Sequence, residues 1–259
     1  MSIAILGDGA ISAFVRKQLA VHKIEVRTLL VRQGSHVKDG DSCLRVSDVA
    51  DLPADTKLLV DCAGHEGLRE HGVKALASGI DVWTISIGAL ANKELEAELM
   101  NAAVRGNAKL QLASGAIGAL DALRAASTGT LTRVKYIGRK PALGWFGSPA
   151  EDKIDLANLA KATVHFAGTA REAALAYPKN ANVAASVAIS SLGFDKTTVE
   201  LIADPEINAN THEIEAHGDF GEMRFSISGK CLPDNPRSSA LAAMSVVAAI
   251  LEERRLIKF

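Results

Sequence analysis

Residue types capable of chemistry are concentrated at a few places in this chain. One is Gly7-Asp8-Gly9-Ala10-Ile11-Ser12, which follows an apolar run (Ser2 to Leu6) and opens a helical stretch from Ala10 to about Val21. A strand–turn–helix of this composition can seat a pyrophosphate. The first glycine permits the tight turn, the second lets backbone approach the ligand, and the helix N-terminus faces the negative charge. Ser12 stands where the fingerprint has its last glycine, and a small residue fits there. Gly7, Gly9, Ala10 and Ile11 are therefore candidate cofactor contacts. The alternative is a plain tight turn without ligand. An acid about 20 residues further on would bind a ribose 2′-hydroxyl. Counting from Ser12 reaches Arg32, with no carboxylate at Val31 or Arg32. An arginine can pair with a 2′-phosphate, so NADP is favoured with NAD admitted; a solvated loop cation is the competing reading of Arg32.

Two more turns lie where strands should end: Asp61-Cys62-Ala63-Gly64-His65-Glu66 and Ser86-Ile87-Gly88-Ala89-Leu90. Ligands of open α/β sheets bind beyond the carboxyl ends of strands. Ala63 and Gly64 become cofactor candidates, Ser86 and Gly88 substrate candidates, although both glycines also suit ordinary turns. Further on, His212 sits mid-strand on one face with Ile214. A histidine titrating near neutrality can take and return protons, and a strand holds it rigidly. A structural histidine hydrogen-bonded on a sheet would read the same way. Asn182 enters an alanine-rich helix, and its amide both donates and accepts. Asn180 is a second polar candidate or a helix cap. His217 falls on the face opposite His212 by strand alternation. His165 is a weaker proton-transfer candidate, and His65 and His71 are expected in ordinary roles.

The elements that must position these residues alternate in the first half. Strands are expected at Ser2 to Leu6, Ile24 to Val31, Lys57 to Asp61, Ile80 to Ile87 and Lys109 to Ala113. Helices are expected from Ala10, from Glu66 to Ser78 and from Asn92 to Arg105. This alternation implies a parallel sheet with helices on both faces. The second half predicts a strand at Thr132 to Ile137, helices at Leu156 to Ala162 and Thr169 to Ala176, then alternating strands at Thr197 to Ala203, Ala209 to His217 and Glu222 to Ser228. Such a succession suggests an antiparallel or mixed sheet with one covered face. Asn235-Pro236 reads as cap and first turn of a last helix. The fold class is thus α/β: a Rossmann-type dinucleotide-binding domain over 1–113, a smaller α+β catalytic domain with an open mixed sheet over 114–234, and a C-terminal helix in 235–259 packing back on the first domain.

Composition narrows the function classes. A net charge of −1 with interspersed acids and bases offers neither a surface for nucleic acid nor a polybasic membrane patch. Cys43, Cys62 and Cys231 are far apart and form no Cys-x-x-Cys pair, so reduced thiols are expected and a metal site is not. With no signal-peptide pattern at the start and no long apolar run, a cytoplasmic location is expected.

Taken in order, Gly7-Asp8-Gly9-Ala10-Ile11, Ser86-Ile87-Gly88-Ala89-Leu90, Ser114-Gly115-Ala116-Ile117-Gly118, Tyr177-Pro178-Lys179-Asn180-Ala181-Asn182-Val183-Ala184-Ala185, Asn210-Thr211-His212-Glu213-Ile214 and Asn235-Pro236-Arg237-Ser238-Ser239 resemble the L-aspartate dehydrogenase family across essentially the whole chain. The resemblance implies NAD- or NADP-dependent oxidation of L-aspartate to iminoaspartate, which hydrolyses to oxaloacetate and ammonia and can also feed NAD biosynthesis. It implies a homodimer, with His212 as the catalytic histidine and Ala116 and Asn182 at the nicotinamide nucleotide. Some members carry an acid at the end of the second strand, where this chain has Val31-Arg32. A dicarboxylic substrate also calls for cations, and Arg139, Lys140 and Lys179 are candidates; Lys140, at a strand end before Pro141, is placed for a substrate contact, and a solvated surface charge is the competing reading of each. Competing readings are a reductase of the dihydrodipicolinate-reductase or homoserine-dehydrogenase type and a non-catalytic NADP-sensing protein. The dihydrodipicolinate-reductase type would be expected to show a His-His-Lys cluster, and the chain has no adjacent histidine pair; the homoserine-dehydrogenase type would want a lysine pair placed for a semialdehyde.

Overall fold

The computed structural model describes residues 2–35, 43–233 and 235–257. The first half forms β1 (Ser2–Leu6), α1 (Ala10–Val21), β2 (Thr28–Leu30), β3 (Leu44–Val46), β4 (Thr56–Asp61), α2 (His65–Gly67), α3 (Val73–Ala77), β5 (Asp81–Thr84), α4 (Lys93–Gly106) and β6 (Leu110–Leu112). The strands pair parallel throughout, in the order β3-β2-β1-β4-β5-β6. This is the doubly wound order of a Rossmann sheet, whose direction of winding reverses between β1 and β4 and opens a crevice there. Ile3, Ile5, Leu58 and Val60 enter one core with Val15 and Leu19 of α1 and Trp83 of β5.

The first half departs from the sequence expectation at several elements: β3 is an unanticipated edge strand, and the strand expected from Ile80 to Ile87 contracts to Asp81–Thr84. The strand expected from Ile24 contracts to Thr28–Leu30. Lys23 takes a left-handed φ of 57° and the Ile24 amide donates back to the Leu19 carbonyl, closing the end of α1. Ile24 and Val26 are buried in the core without joining the ladder. The helix expected from Glu66 to Ser78 contains a π-helical segment, Leu68–Gly72. A Cβ on Gly67 would lie 2.6 Å from that of Ala63, and one on Gly72 would lie 2.7 Å from Leu68 Cδ1, so both glycines permit close packing here.

The second half forms α5 (Leu120–Ala126), β7 (Leu131–Lys140), β8 (Thr163–Thr169), α6 (Ala170–Ala176), α7 (Asn182–Ile189), β9 (Thr198–Ala203), β10 (Asn210–Gly218), β11 (Gly221–Gly229), β12 (Cys231–Leu232), β13 (Asn235–Ser239) and α8 (Ala240–Glu253). A mixed sheet runs β11-β10-β7-β9-β8, with only the β7–β9 pair parallel. Val134 and Tyr136 of β7 lie across from Ala216 and Ile214 of β10, all buried on one face. The other face carries the Lys135–Glu200 ion pair and the half-buried Glu213 and Glu215.

Corrections in this half have local causes. Leu156 to Ala162 is not helical: Asp155 accepts from the amides of Ala157 and Asn158 and makes a turn. The following Thr163–Thr169 is an unanticipated strand, ended by Thr169, which caps α6 in a capping box with Glu172. Asn235-Pro236 does not start the last helix. Residues 235–239 pair antiparallel with β12, a two-stranded ribbon in which the missing proline N–H is tolerated, and the helix begins at Ala240.

The chain divides into two compact units. One comprises the chain up to Ala89, Lys93–Ala113 and the chain from Ala242; the other comprises Leu90–Asn92 and Ser114–Leu241. Val246, Val247 and Ile250 of α8 pack into the parallel-sheet core of the first unit. Among the described residues no helix is long and apolar enough to cross a membrane.

Candidate active site

In the first unit, Gly7 has φ +96°, and a Cβ there would lie 3.1 Å from the Ala63 Cβ, so the turn accepts glycine for conformation and for space. Gly9 is the N-cap of α1 and a Cβ built on it meets nothing within 4 Å, leaving room for a ligand to approach the backbone. Ala10 and Ile11 form the first turn of α1. Gly64, at φ +90°, caps α2. Leu6 to Gly9, Leu30 to Arg32, Ser35, Cys62, Ala63 and residues 66, 67, 70 and 71 line a cavity of about 280 Å³. The open backbone at Gly9, the helix end and a cation at Arg32 fit a dinucleotide, with Arg32 and Ser35 on the side where a 2′-phosphate would be read.

Asp61 shapes this turn from beneath. It is fully buried, accepts hydrogen bonds from the hydroxyls of Thr84 (2.6 Å) and Ser86 (2.5 Å), and accepts from the Ala63 amide at 2.9 Å. Burial raises its pKa from the usual carboxylate value, and these donors oppose the rise. The network ties the end of β4 to the end of β5. It also takes the proton of the buried Ser86 hydroxyl, a group expected at the substrate. Gly88 lies in the 3-10 turn Ile87–Ala91 that follows. Cys62 lines the cavity, and burial, reinforced by the nearby Asp61 charge, pushes its thiol up, which disfavours the reactive thiolate.

In the second unit the mixed sheet assembles the polar cluster. His212 and Gly138 are directly opposite on β10 and β7, and the Tyr136 hydroxyl lies 2.7 Å from His212 Nδ1. Burial, with a smaller contribution from the Lys140 ammonium, pushes His212 down to about 4, so the ring is neutral at neutral pH. Burial raises the Tyr136 phenol. Lys140 donates to Asn180 Oδ1 at 2.6 Å and stands 4.9 Å from the centre of the Trp145 ring. Burial lowers Lys140 to about 8, opposed by Cys231. Asn182 is the first residue of α7. Ala116 is buried in the loop before α5, between Gly115 at φ +74° and Gly118, whose Cβ would strike the Phe225 ring at 2.8 Å.

The comparisons follow this division. Residues 121–253 match the family model described as aspartate dehydrogenase, C-terminal, and residues 6–113 the one described as homoserine dehydrogenase, NAD binding domain. The L-aspartate dehydrogenase of Ruegeria pomeroyi is 52% identical over 259 residues, spanning 99% of this chain and 94% of that protein. That of Pseudomonas aeruginosa is 45% identical over 257 residues, spanning 96% of each. The chain belongs to the L-aspartate dehydrogenase family. Its fold matches the crystal structure of aspartate dehydrogenase from Thermotoga maritima with a TM-score of 0.78 at 25% identity, covering 100% of this chain and 99% of that one. A hyperthermophilic archaeal homoserine dehydrogenase in complex with NADPH shares the fold, with a TM-score of 0.59 at 15% identity over 96% of each chain.

For this member of the L-aspartate dehydrogenase family the structure sorts the cation candidates. Arg139 points to the other face and pairs with Asp204 at 2.8 Å, and Lys179 is exposed. Lys140, on the face of His212, is the candidate drawn into the cluster. His217 lies on the opposite face, 3.9 Å from Glu222. His165 packs edge-on against Trp145, the ring beside Lys140, and its Nδ1 lies 3.2 Å from the Tyr177 hydroxyl. Among the described residues no group of three or more His, Cys, Asp or Glu is placed to hold a metal. Sequence reasoning missed Asp61 and Tyr136. The signal for Asp61 was an acid at a strand end with Thr84-x-Ser86 at the next, meaningful only once Asp61 and Thr84 are register partners. Tyr136 had no local signal.

Proposed function

We propose that the protein catalyses NAD(P)-dependent oxidative deamination of L-aspartate. The α-carbon loses a hydride and the amine a proton, giving iminoaspartate; water then adds to the imine carbon and ammonia leaves, giving oxaloacetate. A bound nicotinamide ring supplies the hydride acceptor. The observation that carries the reading is the half-buried Lys140–Asn180 pair on the face of His212, within the segment that matches the aspartate dehydrogenase C-terminal model. Lys140 offers a cation for a substrate carboxylate in a site where burial strengthens the attraction. Asn180 orients that ammonium. His212, with Nδ1 taken by Tyr136, offers Nε2 for hydrogen bonding to substrate or water. Asn182 and the Ala116 backbone are read as contacts to the nicotinamide nucleotide, and Gly7, Gly9, Ala10, Ile11, Ala63 and Gly64 as the pyrophosphate side. Arg32 and Ser35 favour acceptance of NADP alongside NAD.

The reading includes a homodimer in the cytoplasm, the dimer supported by the family membership and the location by Cys43, Cys62 and Cys231 standing outside any disulfide. Its imine product would also serve pyridine nucleotide biosynthesis. The direct test is reduction of NAD and NADP by purified protein with L-aspartate, against L-glutamate and L-alanine. Turnover confined to aspartate supports the reading; none with aspartate, nor with oxaloacetate plus ammonia in reverse, overturns it. Sedimentation at micromolar concentration tests the dimer.

A further inference from the structure

The Tyr136 hydroxyl is enclosed by protein, its residue 1% exposed, and the hydrogen bond it makes among the described residues is the one to His212 Nδ1. A buried O–H needs an acceptor, and a neutral imidazole accepts only at its unprotonated nitrogen. If Nδ1 carried the ring proton, two hydrogens would compete for one line of approach or the phenol would be left without an acceptor. The phenol therefore donates to Nδ1 and the ring proton resides on Nε2.

The backbone supports this arrangement. Tyr136 pairs across from Ile214, one step along the face from His212, so its ring must lean along β7 to reach Nδ1. The two rings stack at 6.1 Å with 19° between their planes. The position opposite His212 is Gly138, where a Cβ would lie 2.7 Å from the Tyr136 hydroxyl and 3.1 Å from Cε1. Glycine at 138 is the gap through which the phenol reaches the histidine. The charged group facing the ring is the Lys140 ammonium, which further disfavours a second proton on the imidazole.

We propose that Tyr136 is a positioning residue that holds His212 as the Nε2–H tautomer, so that His212 meets the substrate as a neutral hydrogen-bond donor rather than as a base. In the reaction proposed above, on which this role rests, Nε2–H supports the oxygen of the carbinolamine, or the keto oxygen of oxaloacetate in reverse. It does not strip a proton from the attacking water.

The test is a long-range proton–nitrogen NMR spectrum of the protein labelled with nitrogen-15 histidine, with His212 assigned by loss of its signals in His212→Asn. The expected wild-type result near neutral pH is a protonated Nε2 and a bare Nδ1. Tyr136→Phe is expected to give a mixture of tautomers and a higher His212 pKa, because it removes a hydrogen bond that stabilises the neutral ring. It should also lower kcat about tenfold with the KM for aspartate little changed, less than loss of the histidine itself would cost. Gly138→Ala is the second variant, expected to push the hydroxyl away and give the same mixture. A wild-type ring protonated at Nδ1, or an unmixed Nε2–H tautomer in Tyr136→Phe, overturns the proposal. The spectra need no substrate, so absence of aspartate turnover would sink the proposed reaction while leaving the tautomer assignment to stand or fall separately.

Discussion

The two units carry candidate sites of different kinds. The parallel-sheet unit presents backbone: a glycine at φ +96°, an open Gly9 and the first turn of α1. The mixed-sheet unit presents side chains, the buried His212 and Tyr136 and the half-buried Lys140 and Asn180, drawn from β7, β10 and the segment before α7. A backbone site needs the right dihedral angles and space, so it depends on a few small residues close in sequence. A side-chain site draws its strength from desolvation, so it depends on which residues the sheet brings together and how well they exclude water.

The contrast can be broken from either side. The largest effect is expected in the second unit: His212→Ala should lower kcat by about 100- to 1,000-fold, the range for loss of a hydrogen-bond donor to a developing oxyanion, while NADPH affinity measured by fluorescence titration changes little. A parallel loss of NADPH affinity would show that the units do not divide the work. Lys140→Met should lower kcat/KM for aspartate about 10- to 100-fold, as expected for a charged hydrogen bond worth about 1.5–3 kcal/mol, with most of the change in KM. In the first unit, Gly7→Ala forces a left-handed φ on alanine beside Ala63 and should cost about 1–3 kcal/mol of stability, read as a lowered thermal midpoint, and should weaken both cofactors.

Smaller effects sharpen the picture. Lys140 is charged below its lowered pKa of about 8 and neutral above it. Inhibition by succinate, a dicarboxylate lacking the amine, should therefore weaken as pH rises through about 8, and Lys140→Met should abolish that dependence. A flat wild-type profile would remove Lys140 from carboxylate binding. Arg32 is exposed, so the ion pair proposed with a 2′-phosphate would be screened by solvent. Arg32→Ala should raise the KM for NADP about fivefold, the scale of an exposed ion pair, and leave that for NAD nearly unchanged.

Legibility in the sequence followed the same divide. The turn after β1 was readable because its chemistry lies within a few consecutive residues. The parity of β10 was also readable, since alternation alone separates His212 and Ile214 from Glu213 and His217. By contrast, β8 was obscured by an expected helix at 156–162, where Asp155 turns the chain instead. The segment from Asn235 carries good helix-start residues, yet its pairing with β12 outweighs that local preference. Local propensities are worth fractions of a kcal/mol per residue, and strand pairing overrides them.

By itself the sequence determined the alternation of strands and helices, the glycine conformation after β1, and which face of β10 carries the histidine, because all of these depend on near neighbours along the chain. Only the tertiary structure decided that Lys140 rather than Arg139 or Lys179 joins His212, that Asp61 claims the Ser86 hydroxyl, and that Tyr136 reaches Nδ1 through the gap at Gly138. These depend on register between strands distant in sequence: Tyr136 and His212 are 76 residues apart. The burial that makes His212 neutral and Lys140 less basic arises only when the sheet and its helices close over them.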